Sequence, residues 1–210
     1  KWDFRVWCAA AKLIGADAVK VQLWRCNHFP LAERYIKRPL EFPRRRWFDF
    51  VEVAHSMDLF AGASVFDDEA IDIVARDGDF IKLAAREQSN IPLILGVANH
   101  GKADIKVYRS ISEQKYINYD RHTTHLATIS QYPTPLIRAL LSLSRWARFF
   151  NSQGLKWGWS SHTRSILDAV FATRLGASAI EKHFALGVDD AEAGHSLCSF
   201  EFKNMVRMCK

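Results

Sequence analysis

Short β-branched and apolar runs alternate with longer stretches of helical period along most of the 210-residue chain, and this alternation constrains the fold more than any other feature. The runs span residues 18–23, 59–65, 80–84, 103–108, 126–130, 155–160 and 177–184, which predicts seven strands. Between several of them lie amphipathic stretches at 47–57, 137–150 and 165–175, the last ending at Gly176 as a helix C-terminus does. A further helical stretch, 4–14, precedes the first strand and is closed by Gly15. Strand, helix, strand repeated in this way gives a parallel sheet with crossover helices.

Two closures of such a sheet compete, an open doubly wound sheet and an eight-stranded barrel. An open nucleotide-binding sheet carries a glycine-rich turn after an early strand, and neither G-x-G-x-x-G nor G-x-x-x-x-G-K-[ST] occurs. The expected fold is therefore α/β, a (β/α)8 TIM barrel, in a single domain spanning 1–210. Such barrels typically take about 250 residues, and here the count is one strand short of eight. Because the chain also begins at Lys1 rather than Met, truncation at both ends is expected.

Composition removes other classes. No apolar run approaches the roughly 20 residues of a membrane-spanning helix, and the first ten residues lack the pattern of a secretory signal. The cysteines Cys8, Cys26, Cys198 and Cys209 are scattered without a C-x-x-C pair, which fits reduced thiols and a cytoplasmic location. Net charge is +6, with one basic focus at Arg44-Arg45-Arg46 beside Lys37 and Arg38. Pro39 and Pro43 make that focus a loop, read as a solvated face rather than a nucleic-acid surface.

In a barrel the chemistry sits at the C-terminal ends of the strands. Side chains alternate along a strand, so Ser160 and His162 share a face, as do Glu181 and His183 on the next strand. Two imidazoles, a carboxylate and a hydroxyl thus converge, and two histidines with open positions suit Mn²⁺, Fe²⁺ or Zn²⁺ acting on a carbonyl. Lys20 and Lys82 each sit between apolar neighbours that face the helices, which turns both ammoniums to the barrel interior. A buried ammonium needs an anion: a phosphate or carboxylate ligand, a salt bridge to Glu181 or Glu87, or, as a third reading, Schiff-base chemistry.

The segments 15–22, 82–87 with 90–94, Tyr132-Pro133-Thr134-Pro135, Trp159-Ser160-Ser161-His162-Thr163 and 176–184 occur in the order and approximate spacing of the sialic acid synthases. The chain resembles the barrel domain of an N-acetylneuraminate synthase or of a relative making legionaminic, pseudaminic or another nonulosonic acid. The resemblance implies a cytoplasmic, C–C bond-forming transferase of carbohydrate biosynthesis. Phosphoenolpyruvate would condense with an N-acetylhexosamine such as N-acetylmannosamine, releasing phosphate. His162 and His183 would hold the metal, Mn²⁺ with Mg²⁺ or Co²⁺ as alternatives. Lys20, Lys82 and Ser160 would bind phosphoenolpyruvate beside Glu181, and Gln22, Glu87 and Tyr132 would meet the sugar. Lys82, Glu87 and Glu181 would be the catalytic residues. Small molecules are the implied ligands, with no nucleic acid and no membrane, and a homodimer for the longer parent.

Several positions depart from that pattern. Ala85-Arg86 replaces a Ser-Gly pair, which removes a phosphate contact unless the Arg86 guanidinium supplies it. Ser161 replaces an aspartate, Lys106-Val107-Tyr108-Arg109 lacks a Thr-Gly turn, and His195 stands where an acidic residue often lies. The family's first strand would precede Lys1 and its antifreeze-like domain would follow Lys210. Hence these residues alone are expected to turn over feebly or not at all. The alternative expectation is a degenerate barrel that binds sugar or phosphate without catalysis, and Ala85, Arg86 and Ser161 are the features that favour it.

Overall fold

A computed structural model describes residues 3–100, 105–112, 119, 121–186, 196–197 and 199–210. Position 103–104 of the fourth expected strand and His195 lie outside the described residues. The chain divides into two compact units, Lys1–Lys12 with Asp17–Tyr108 and Leu13–Ala16 with Arg109–Lys210.

The first unit opens with helix α1 (Phe4–Leu13), whose last residue belongs to the second unit. Strand β1 (Ala18–Leu23), helix α2 (Leu31–Lys37), helix α3 (Trp47–His55), strand β2 (Phe60–Val65), helix α4 (Asp68–Asp77), strand β3 (Phe80–Leu83) and helix α5 (Ile91–Ala98) follow. β1, β2 and β3 pair in parallel, in the order of the chain. Asp67 caps α4 by accepting the Ala70 amide at 2.8 Å, and Asn90 caps α5 by accepting the Leu93 amide at 3.3 Å. Beneath the strands Phe4, Phe42, Trp47 and Phe50 are all buried, with Phe4 stacked on Phe42 at 5.6 Å between ring centroids. Arg46 covers the Phe4 ring at 4.5 Å.

Strand β4 (Lys106–Ile111) carries residues of both units. The second unit continues with β5 (Thr124–Thr128), α6 (Leu136–Ser152), β6 (Trp157–Ser161), α7 (Leu167–Arg174), β7 (Ile180–Lys182) and α8 (Ser199–Cys209). β5, β6 and β7 again pair in parallel, and the seven strands follow chain order, β1 to β7. Helix α6 buries Ala139, Leu143, Trp146, Ala147 and Phe150, a stripe at spacings of four, three, one and three, against Trp157 and Trp159 of β6. Phe150→Ala would cost about 3–5 kcal/mol by opening a cavity there. α7 is capped by Leu175, and Gly176 turns the chain at φ +99°, a conformation that side-chain-bearing residues resist.

Strand, helix, strand in a parallel α/β order is the architecture the alternation predicts. Among the described residues several boundaries moved: β4 runs on to Ile111 rather than ending at 108, β5 lies at Thr124–Thr128 rather than 126–130, β6 at Trp157–Ser161 rather than 155–160, and β7 takes only Ile180–Lys182 of the expected 177–184. The basic focus at 44–46 is a single 3-10 turn, and Arg44 is not part of a solvated face. Its side chain is only 10% exposed. Its guanidinium donates to both oxygens of Asp67, at 2.9 and 2.6 Å, and to the Leu23 carbonyl at 2.6 Å.

Candidate functional site at the strand ends

In the first unit, strand register sets the geometry. Gln22 lies opposite Ser64, and Ser64 opposite Lys82, so these three occupy one row across β1, β2 and β3. Lys20, two residues before Gln22, shares their face. Its ammonium donates to the Ser64 hydroxyl at 3.1 Å. Lys82 and Ser64 are buried. The two lysines predicted to face one interior therefore do share a face, with a hydroxyl between them. Ser64 was not among the predicted site residues. Its signal was present as the single polar side chain in the apolar run 59–65, in step with Lys20 and Lys82.

After β3 the chain makes a 3-10 turn, Ala85–Glu87. Glu87 is held on both oxygens, by Arg86 Nε at 3.0 Å and by Asn90 Nδ2 at 2.8 Å. The Arg86 guanidinium lies against the rings of Phe29 and Phe66, at 4.8 and 5.2 Å, and donates to the His28 carbonyl at 3.3 Å. Nearby, Arg44 and Arg25 pair with Glu69, and His28 Nε2 lies 3.3 Å from Asp67 Oδ2. Burial of Asp67 works to raise its pKa, but hydrogen bonds from Arg44 and the Ala70 amide outweigh it and hold the carboxyl below its ordinary range. Burial chiefly pulls His28 below the usual histidine value.

In the second unit Ser160 lies opposite Glu181 across β6 and β7, and Ser160 is buried. His162 and His183 each follow the end of their strand by one residue, and their rings lie 5.6 Å apart. The Tyr132 ring lies 4.0 Å from that of His162, tilted by 33°, and meets His183 edge-on at 6.0 Å. His162 Nδ1 lies 2.7 Å from the Ile129 carbonyl, which can only accept, so Nδ1 carries the proton and the lone pair of the neutral ring is on Nε2. Thr128 Oγ1 donates to the Ser160 carbonyl at 2.9 Å and touches the same imidazole nitrogen at 3.3 Å.

The two histidines expected to hold the metal are thus together, Tyr132, expected to meet the sugar, lies against both, and Ser160 is beside Glu181. Two imidazoles, one with its Nε2 lone pair set by a carbonyl behind it, form a donor set that fits a divalent ion whose other positions go to water or substrate oxygens. Among the described residues no group of three His, Cys, Asp or Glu side chains forms a metal cluster.

The opposite face of β6 carries a network that sequence reading missed. Asp168, fully buried in the first turn of α7, accepts Trp159 Nε1 at 2.8 Å, Ser161 Oγ at 2.7 Å and Thr163 Oγ1 at 2.9 Å. Lys182 of β7 donates to Ser161 Oγ at 2.6 Å and to the Thr163 carbonyl at 2.5 Å. Burial lowers the Lys182 pKa to about 8, partly offset by Asp168 and Glu201.

Among the described residues no helix is long and apolar enough to cross a membrane. The pseudaminic acid synthase of Helicobacter pylori is 32% identical over 181 residues, covering 77% of this chain and 50% of that protein. The N,N'-diacetyllegionaminic acid synthase of Legionella pneumophila is 25% identical over 94% of this chain and 64% of its own length. The chain therefore spans about half to two thirds of these relatives. In fold it is similar to the crystal structure of an N-acetylneuraminic acid synthetase from Leptospira borgpetersenii in complex with citrate. That likeness has a TM-score of 0.88 at 20% identity, over 98% of this chain and 76% of the other. Residues 7–210 match the NeuB family, and the chain belongs to that family.

Proposed function

We propose that the chain is the barrel portion of a metal-dependent, cytoplasmic synthase that condenses phosphoenolpyruvate with an N-acetylhexosamine to give a nonulosonic acid and phosphate. The observation that carries this reading is the row Gln22–Ser64–Lys82, with the Lys20 ammonium on the same face. Two cations on a largely buried sheet face suit a small, highly charged anion, and membership of the NeuB family makes phosphoenolpyruvate the anion of choice.

In this reading Lys20 and Lys82 bind the carboxylate and phosphate of phosphoenolpyruvate, and the Ser64 and Ser160 hydroxyls orient them. The methylene carbon forms a bond to the sugar aldehyde carbon, water adds to the neighbouring carbon, and phosphate departs. Glu181 takes one proton of that water, which ends on the former aldehyde oxygen as a hydroxyl, and the other proton leaves with phosphate as the ketone forms. Gln22, Glu87 and Tyr132 position the open-chain sugar, Glu87 being kept in place by Arg86 and Asn90. His162 and His183 would hold a divalent ion, Mn²⁺ first among candidates, which when bound supplies a Lewis acid for the aldehyde oxygen. The longer parent acts as a homodimer on small-molecule substrates.

A second reading, a binding barrel without turnover, is favoured by Arg86, whose guanidinium lies against Phe29 and Phe66 and is directed to Glu87 and His28. Sugar-dependent phosphate release by the full-length protein with Mn²⁺ separates the two. Release that falls about 10²–10³-fold in Lys82→Ala supports the synthase. Tight binding of phosphoenolpyruvate without release supports the second reading.

A further inference from the structure

The chemistry proposed above leaves the buried network behind β6 unused, yet two of its members, Ser161 and Thr163, flank His162. Lys182 can only donate, so the Ser161 oxygen 2.6 Å away accepts from it and turns its own hydrogen to Asp168 at 2.7 Å. Thr163 is held in the same way, its hydroxyl 2.9 Å from Asp168 and its carbonyl accepting from Lys182. The residues on both sides of His162 are therefore fastened to one carboxylate and one ammonium. His162 itself is fastened by its carbonyl, which accepts the Thr134 amide at 2.8 Å, and by Nδ1 against the Ile129 carbonyl. When both flanking residues are fixed, so is the Cα–Cβ direction from which the imidazole projects. The Thr163 hydroxyl also has the Ser165 carbonyl as an acceptor at 3.0 Å, so an amide at 168 would turn its N–H₂ group toward Thr163, break the present Thr163–Asp168 bond and remove the negative charge facing Lys182.

We propose that Asp168 is a positioning residue for His162: through Ser161 and Thr163, with Lys182 as counter-charge, it holds the imidazole in the orientation that the active site uses. The proposal rests on the reading of His162 as an active-site imidazole, and its test separates the two. The variants are Asp168→Asn and the relocation pair S161D/D168A. The relocation pair moves the carboxylate to the position that already lies within hydrogen-bonding distance of Lys182.

The first readout is exchange of the His162 Nδ1 proton in the metal-free protein, followed by imidazole ¹⁵N NMR below the melting temperature. The second is Mn²⁺ affinity. Asp168→Asn is expected to speed that exchange at least about tenfold and to weaken Mn²⁺ about tenfold, the lower end of the range for groups that orient metal ligands. The relocation pair is expected to return both to within about twofold of wild type. A folded Asp168→Asn protein with unchanged exchange overturns the proposal. So does a relocation pair that regains the melting temperature but not the exchange protection, or one that does not fold. If Asp168→Asn itself fails to fold, the relocation pair decides alone. Mn²⁺ binding that is identical in wild type and His162→Ala removes the metal reading, while the exchange comparison still decides the role of Asp168.

Discussion

Asp67 and Asp168 are each an acid at the start of a helix that follows a strand, Asp67 as the N-cap of α4 in the first unit and Asp168 within the first turn of α7 in the second. Their partners differ. Asp67 is about a quarter exposed and meets its charge directly, in a two-pronged pair with Arg44 that also reaches the Leu23 carbonyl. Asp168 is fully buried, takes three neutral donors, and reaches its ammonium through the Ser161 hydroxyl. A direct pair near solvent is tuned by pH and tolerates loss of one contact among several. A hydroxyl-relayed network around a fully buried carboxylate has little access to water that could substitute for a missing member, so it holds its segment more rigidly and fails more completely.

Removing the carboxylate from one site and the guanidinium from the other grades that contrast. Asp168→Ala leaves the Lys182 ammonium buried beside three donors, and urea unfolding should show a loss of about 3–5 kcal/mol. A loss below about 1 kcal/mol would mean that water enters the network and the contrast fails. Arg44→Ala should cost less, about 2–3 kcal/mol, since Asp67 keeps the Ala70 amide and His28. Arg44→Lys should recover under half of that, because a point ammonium cannot serve both Asp67 oxygens and the Leu23 carbonyl.

The pH dependence gives a smaller effect with a definite sign. The Asp67 pKa is lowered from its ordinary 3.8 in the folded protein. Its contribution is therefore present above about pH 4 and is lost as pH falls through the depressed folded value. Stability curves of wild type and Arg44→Ala should converge on the acid side of that window, and parallel curves down to pH 2 would contradict the assignment. The smallest effect is expected at the exposed Arg25–Glu69 pair, where Arg25→Ala should leave the melting temperature unchanged.

The same contrast explains what could be read from the sequence. The lysine face was legible because it depends on alternation within single strands: Lys20 and Lys82 each sit between apolar neighbours, and β1 falls at the expected 18–23. His162 and His183 were legible for the same reason. Asp168 was not, since in sequence it is an ordinary acid in a helix's first turn. Only the β6–β7 register, Ser161 opposite Lys182, brings its counter-charge near. Arg44 was misread because its partner lies 23 residues away on another element, beyond any local period. The shift of β5 has a comparable origin. Thr124 and His125 look like loop residues, yet His125 is fully buried, with its ring parallel to Phe150 at 5.9 Å.

The proposed reaction forms a bond between phosphoenolpyruvate and an amino sugar. It is tested most directly by NMR of the full-length protein supplied with [3-¹³C]phosphoenolpyruvate, an N-acetylhexosamine and Mn²⁺. A new ¹³C methylene signal coupled to the former aldehyde carbon of the sugar is expected, with one phosphate released per bond formed. Both are expected to be lost in Lys82→Ala. Phosphoenolpyruvate that stays intact, or that yields pyruvate without a carbon–carbon bond, would contradict it.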